Sequence, residues 1–190
     1  SNKYIFILAG MTLVVQLATN IGTAVNTYYF KYIMGNIGLA TLVSIGSMLT
    51  PVILLIFPVL SRKFGTVPIL RAGAVLGVVG YGIRILGGTN LVTLKLGSVI
   101  GGVAILPVTM MISIYLIDTM DYGEWKTGTR VEGMLASVNS FASKLGSGIA
   151  SGLVGLIMGL AGYDGSLATQ SASALTSIQV LFNYVPMVLM

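Results

Sequence analysis

The chain has 190 residues, 55% of them hydrophobic and only 8% charged, with a mean hydropathy of +0.96 and a formal net charge of +5. Such a composition leaves too few polar groups to cover a soluble domain, so its solvent is lipid. Cysteine and histidine are both absent, which removes disulfides, thiol chemistry, imidazole catalysis and most zinc sites, and the dispersed basic residues argue against a nucleic-acid partner.

A hydrocarbon core of about 30 Å takes roughly 20 apolar residues per helix, which gives about six spans here. They are predicted in chain order at 4–32, 39–60, 67–86, 91–117, 131–160 and 174–190, separated by Gly- and Asn-rich breakers such as Gly35-Asn36 and Gly87-Gly88-Thr89-Asn90. The opening Ser1-Asn2-Lys3, without an initiator Met, and the end inside an apolar run at Met190 read as the ends of a fragment, the sixth span being cut short. The first apolar run is too long for a cleavable signal peptide. The 25 glycines suit helices that must approach closely where lipid supplies no hydrophobic drive for association.

The first span carries Thr12, Gln16, Asn20, Thr23 and Thr27 at steps of three and four, which keeps them on one face. That face meets either another helix or a water-filled cavity. Basic residues then set orientation: Lys3, Arg62, Lys63, Arg71, Lys126 and Arg130 fall on one side and Lys31 and Lys95 on the other, so the first side is cytoplasmic. Arg84, near the outer end of the third span, is expected to snorkel to the interface.

Between the fourth and fifth spans lies an acidic stretch holding Asp118, Asp121, Glu124 and Glu132, four of the five acids in the chain, with Lys126 and Arg130 among them. It reads as an aqueous cytoplasmic loop, either a gate latch built from ion pairs or a solvated segment that only sets topology. The fifth span repeats Ser137, Ser140, Lys144, Ser147 and Ser151 on one face with Asn139 beside it, and Gly148, Gly152, Gly155 and Gly159 on another. The expectation is a helix with one smooth packed face and one wet face. Lys144 sits more than three turns into this span, and a lysine so deep needs a cavity or a carboxylate. Glu132, on the same helix, is about 18 Å away along the axis. The carboxylate partner is therefore expected outside this chain, unless Lys144 only pins two helices together.

The stretch Asp121-Tyr122-Gly123-Glu124-Trp125-Lys126-Thr127-Gly128, the helix start Arg130-Val131-Glu132-Gly133 and the mid-helix Lys144 resemble the glycoside–pentoside–hexuronide:cation symporters, the melibiose permease-like branch of the major facilitator superfamily. The resemblance is specific from about 118 to 164 and compatible elsewhere. It implies an all-α membrane protein, the C-terminal six-helix half of a twelve-helix major-facilitator transporter. It further implies symport of a sugar or glycoside with sodium or protons, in a multi-pass protein of a bacterial cytoplasmic membrane. Its partners would be the sugar, lipid and the N-terminal half. No cofactor is implied beyond the coupling cation, whose site belongs mainly to that other half. In melibiose permease, side chains one turn before the lysine contact sugar; they fall here on Asn139 and Ser140, where that relative has Gln and Thr. Neutral polyols need amide and hydroxyl groups, so Gln16 and Asn20 join them as candidate substrate residues. Lys144 is the candidate ion-linked residue, and Asp118, Asp121, Glu124, Lys126, Arg130 and Glu132 are the candidate cytoplasmic gate. A drug or peptide carrier of the same fold is the alternative. An intramembrane enzyme finds no nucleophile–base pair, no phosphate-binding loop and no metal cluster in the sequence.

Overall fold

The computed structural model describes residues 3–44, 50–128 and 132–189, and among them every regular element is helical. Helix α1 (Lys3–Tyr28) runs into a π-helical turn, Tyr29–Ile33. Asn36 then accepts a bond from the Gly38 amide (2.8 Å) and starts the short α2 (Gly38–Ser44). Helices α3 (Thr50–Phe64) and α4 (Thr66–Gly87) are joined by Gly65 alone, whose φ of +81° suits a residue without Cβ.

Helix α5 (Leu91–Thr127) starts where the Asn90 side chain accepts from the Val92 amide (2.9 Å). It stops at Gly128, in the left-handed region at φ +70°, whose N–H returns to the Glu124 carbonyl (2.8 Å). Helix α6 (Glu132–Leu160) precedes a loop that ends at Ser171, the cap of α7 (Ala172–Gln179). A second π-helical turn, Val180–Tyr184, leads into α8 (Val185–Leu189).

Five stretches are long and apolar enough to cross a membrane: Tyr4–Ile33, Thr66–Gly87, Leu91–Lys126, Ala136–Leu160 and Ala172–Leu189. The predicted second span appears as α2 and α3, with residues 45–49 between them outside the described ones. Outward faces are apolar, as a lipid solvent requires: Leu55, Leu86, Leu160 and Val188 are all exposed. The protein is an all-α membrane protein.

The acidic stretch departs from its expected loop. With 37 residues α5 is about 55 Å long at 1.5 Å per residue, well beyond a core of about 30 Å. Asp118, Asp121, Glu124 and Lys126 lie on its last turns, as helix. Their charge does not end the helix, because charged side chains leave the intrahelical hydrogen bonds intact.

Backbones meet at glycines. A Cβ placed on Gly80 of α4 would lie 2.7 Å from the Gly101 nitrogen and 2.9 Å from the Gly97 carbonyl oxygen of α5. On Gly146 of α6 it would lie 2.8 Å from Gln16 Cβ and 3.0 Å from the Leu13 carbonyl oxygen of α1. The main apolar core gathers Val25 of α1, Tyr29 and Phe30 of the first π turn, Leu94 of α5, Val154 of α6 and Phe182 of the second π turn, at the end of the bundle where both π turns lie.

Candidate functional site

The polar face of α1 meets the serine face of α6 inside this apolar frame. The Thr12 hydroxyl donates to Asn139 Oδ1 (2.7 Å), and Gln16 Nε2 donates to the Ser143 hydroxyl (2.7 Å). Asn20 Nδ2 donates to the Gln16 carbonyl (2.7 Å) and to Gln16 Oε1 (3.1 Å), so the Gln16 amide is held from both sides. Thr12 is buried, while Gln16, Asn20, Asn139 and Ser143 are half-buried. Gly146 lies one turn beyond Ser143 and lets the helices come close enough for these bonds. Three of the four predicted substrate residues, Gln16, Asn20 and Asn139, therefore share one seam.

Ser140, the fourth, points elsewhere: it is exposed, as is Lys144 one turn on. Among the described residues no side chain bonds Lys144. Ser137, Ser147 and Ser151 return their hydroxyl hydrogens to carbonyls four residues earlier on their own helix (2.7–3.1 Å). The expected packed stripe on α6 is corrected by the structure. Gly148, Gly152, Gly155 and Gly159 are exposed, and a Cβ on any of them would meet nothing within 4 Å. Packing instead falls to Ala142, Gly146, Ala150 and Val154, all buried. Gly146 and Ser143 were missed; both lie on the 3–4 spacing that begins at Asn139, and that spacing was the available signal.

At the opposite end of α1, Asp118, Thr119 and Tyr122 of α5 face Tyr4, Leu8 and Met11 across a cavity of about 480 Å³. Tyr4 and Tyr122 make an edge-to-face pair (5.1 Å), and Lys126 Nζ lies 5.8 Å from the Tyr122 ring centre. Of the predicted gate residues, α5 carries Asp118, Asp121, Glu124 and Lys126. Arg130 lies outside the described residues, and Glu132 is placed only as the first residue of α6.

Arg84 is corrected too. It does not snorkel: it is 7% exposed, its Nη2 donates to the Phe182 carbonyl (3.2 Å), and its guanidinium stacks 4.0 Å from the Phe182 ring centre and 5.0 Å from that of Tyr81. Phe182 in turn stacks on Tyr29 (4.2 Å, 23°), whose hydroxyl donates to the Gly88 carbonyl (3.2 Å). Ring faces compensate a desolvated cation by about 2 kcal/mol, less than the burial of an arginine in a membrane helix costs.

The family described as MFS/sugar transport protein matches residues 1–190. An isoprimeverose transporter of Lactiplantibacillus pentosus is 34% identical over 167 residues, 86% of this chain and 34% of that protein. A putative sulfoquinovose importer of Escherichia coli (strain K12) is 30% identical over 184 residues, 95% of this chain and 39% of the importer. The raffinose carrier protein of Pediococcus pentosaceus is 30% identical over 156 residues, 82% of this chain and 24% of the carrier. The chain thus spans between about a quarter and two fifths of the length of these relatives.

Proposed function

The chain belongs to the MFS/sugar transport protein family, and on that premise we propose that it is the C-terminal half of a symporter that moves a sugar or glycoside with sodium or protons by alternating access. The observation that carries this reading is the seam of Thr12, Gln16, Asn20, Asn139 and Ser143, a run of amides and hydroxyls inside an apolar bundle. Sugar hydroxyls donate and accept as these groups do, so a sugar can exchange its own bonds for those between α1 and α6. That relatives are named for isoprimeverose, sulfoquinovose and raffinose supports a saccharide as the class of substrate.

Lys144 and Ser140, exposed beside the seam, face the other half of the carrier in this reading. Lys144 is a resident cation that shares carboxylates there with the coupling ion. Ion arrival changes that pairing and so the affinity for sugar, a coupling that must be reciprocal. Asp118, Asp121, Glu124 and Lys126, with Arg130 and Glu132, latch the cytoplasmic side when the carrier faces outward. Each exposed pair contributes about 0–1 kcal/mol, and several together bias a two-state equilibrium whose gap is a few kcal/mol.

The test is uptake of radiolabelled galactosides, xylosides and glucuronides by full-length carrier in vesicles, with and without sodium and proton gradients. Accumulation driven by a gradient is expected for at least one sugar, and silence across the panel would overturn the sugar assignment. Lys144→Ala is expected to lose the ion dependence of sugar binding. Ion dependence equal to wild type would remove Lys144 from the coupling.

A further inference from the structure

Outward from the seam, towards the end of α1 where the π turn lies, a second cavity of about 500 Å³ opens between α1, α2, α4 and α5. Thr19, Thr23 and Asn26 of α1, Ser44 of α2, Tyr81 and Arg84 of α4 and Ser98 of α5 contribute its polar lining. Arg84 is the charged group there, and it is nine-tenths buried. Of its five N–H donors one reaches the Phe182 carbonyl, while the buried Nε finds no acceptor. Among the described residues Arg84 has no carboxylate partner, and the acids of the chain lie on the last turns of α5, at the start of α6 and, as Asp164, in the loop before α7.

From these observations we propose that this cavity is an oxyanion site, in which Arg84 binds the carboxylate or sulfonate of a small solute. A guanidinium fork is shaped for such a group and, pinned by two rings, is already oriented for it. The neutral lining fits the same ligand. Thr19 and Thr23 commit their hydroxyl hydrogens to α1 carbonyls (2.9 Å and 2.8 Å), whereas Asn26, Ser98 and the Tyr81 hydroxyl make no side-chain hydrogen bond among the described residues and are the donors left over. A cavity meant only to be filled by packing would be apolar. This one joins a cation lacking an anion to three unused donors, in a space large enough for a monosaccharide-sized solute. The site is distinct from the α1–α6 seam and does not depend on a sugar occupying that seam.

Thermal unfolding of the purified full-length carrier, at constant ionic strength, tests this with sodium methanesulfonate, sodium glucuronate and neutral methyl glucoside as probes. A saturable rise of several degrees is expected with an anion, absent with the neutral sugar and absent in Arg84→Gln. A rise with both anions means that a free oxyanion suffices; a rise with glucuronate alone means that the anion must arrive on a polyol. No saturable anion-specific rise in wild type, or the same rise in Arg84→Gln, overturns the proposal. Should Arg84→Gln fail to fold, the Nε resonance of Arg84 in the ¹⁵N-arginine-labelled wild type, assigned through Arg84→Lys, must move on titration with the same anions. A stationary resonance is equally fatal. Gradient-driven uptake of a neutral sugar by the same carrier is read separately, so either proposal can fail without the other.

Discussion

Gly146→Ala puts a single methyl group where α1 and α6 touch. The new Cβ would lie 2.8 Å from Gln16 Cβ and 3.0 Å from the Leu13 carbonyl oxygen, and the second of these is backbone that cannot rotate away. Ordinary contact needs about 3.5 Å or more, so the helices must separate by roughly half an ångström. The neighbouring bonds of the same seam, Thr12 to Asn139 and Gln16 to Ser143, are both 2.7 Å and would lengthen past 3 Å. Overpacking costs about 1–3 kcal/mol and two weakened interhelical bonds about 0.6 kcal/mol each. Against this, alanine in place of glycine gains about 1 kcal/mol of helix propensity. The net expectation is a loss of roughly 1–3 kcal/mol. Gly82→Ala is the control: a Cβ there meets nothing within 4 Å, so only the propensity gain should remain. Both variants are to be compared by unfolding of the carrier in detergent and in bilayers with a steric-trap assay. Gly146→Ala as stable as Gly82→Ala would show that the α1–α6 contact is not set by this glycine, and the reasoning would fall.

Two further outcomes are expected. A double-mutant cycle on Thr12→Val and Asn139→Leu should give a coupling of about 0.6 kcal/mol and not above roughly 1.7 kcal/mol, measured by the same unfolding assay; additive effects would mean that the bond does not hold the helices. The Asp164 carboxylate accepts from the Ser166 hydroxyl (2.7 Å) and the Ser166 amide (2.9 Å), which hold its pKa below the usual carboxylate range. Its contribution to the order of that loop is therefore full above the unfolded-state pKa and is lost as pH falls through the lower folded value. The Ser166 amide chemical shift should titrate with a midpoint below about 3.9. A midpoint at or above that value contradicts the bonding described.

Composition and hydropathy make the all-α membrane fold legible, because lipid leaves few alternatives to apolar helices. The polar face of α1 was legible as well, since steps of three and four fix one side of a helix. What that face meets was not, and the structure supplies the answer in Asn139 and Ser143. On α6 the glycine stripe was a misleading signal: small residues permit close approach but do not compel it, and the contact fell on Gly146. Charge at 118–126 was a poor guide to backbone shape, since α5 continues as helix through it. The burial of Arg84 was not legible, because it depends on Phe182, a ring 98 residues away in sequence. The π turns had no sequence signal at all.

Those π turns, Tyr29–Ile33 and Val180–Tyr184, stand ring against ring through Tyr29 and Phe182. Each wider turn accommodates one residue beyond what a plain α-helix of that length would hold. An extra residue in an α-helix swings everything beyond it by about 100°, the angle between successive residues at 3.6 per turn. Absorbed locally in a bulge, it leaves the Gln16 face of α1 aimed at α6 and frees the far end to take its own aim. A lineage of such chains can therefore gain or lose a residue at these two bulges and retune the rim of the bundle without disturbing its polar interior.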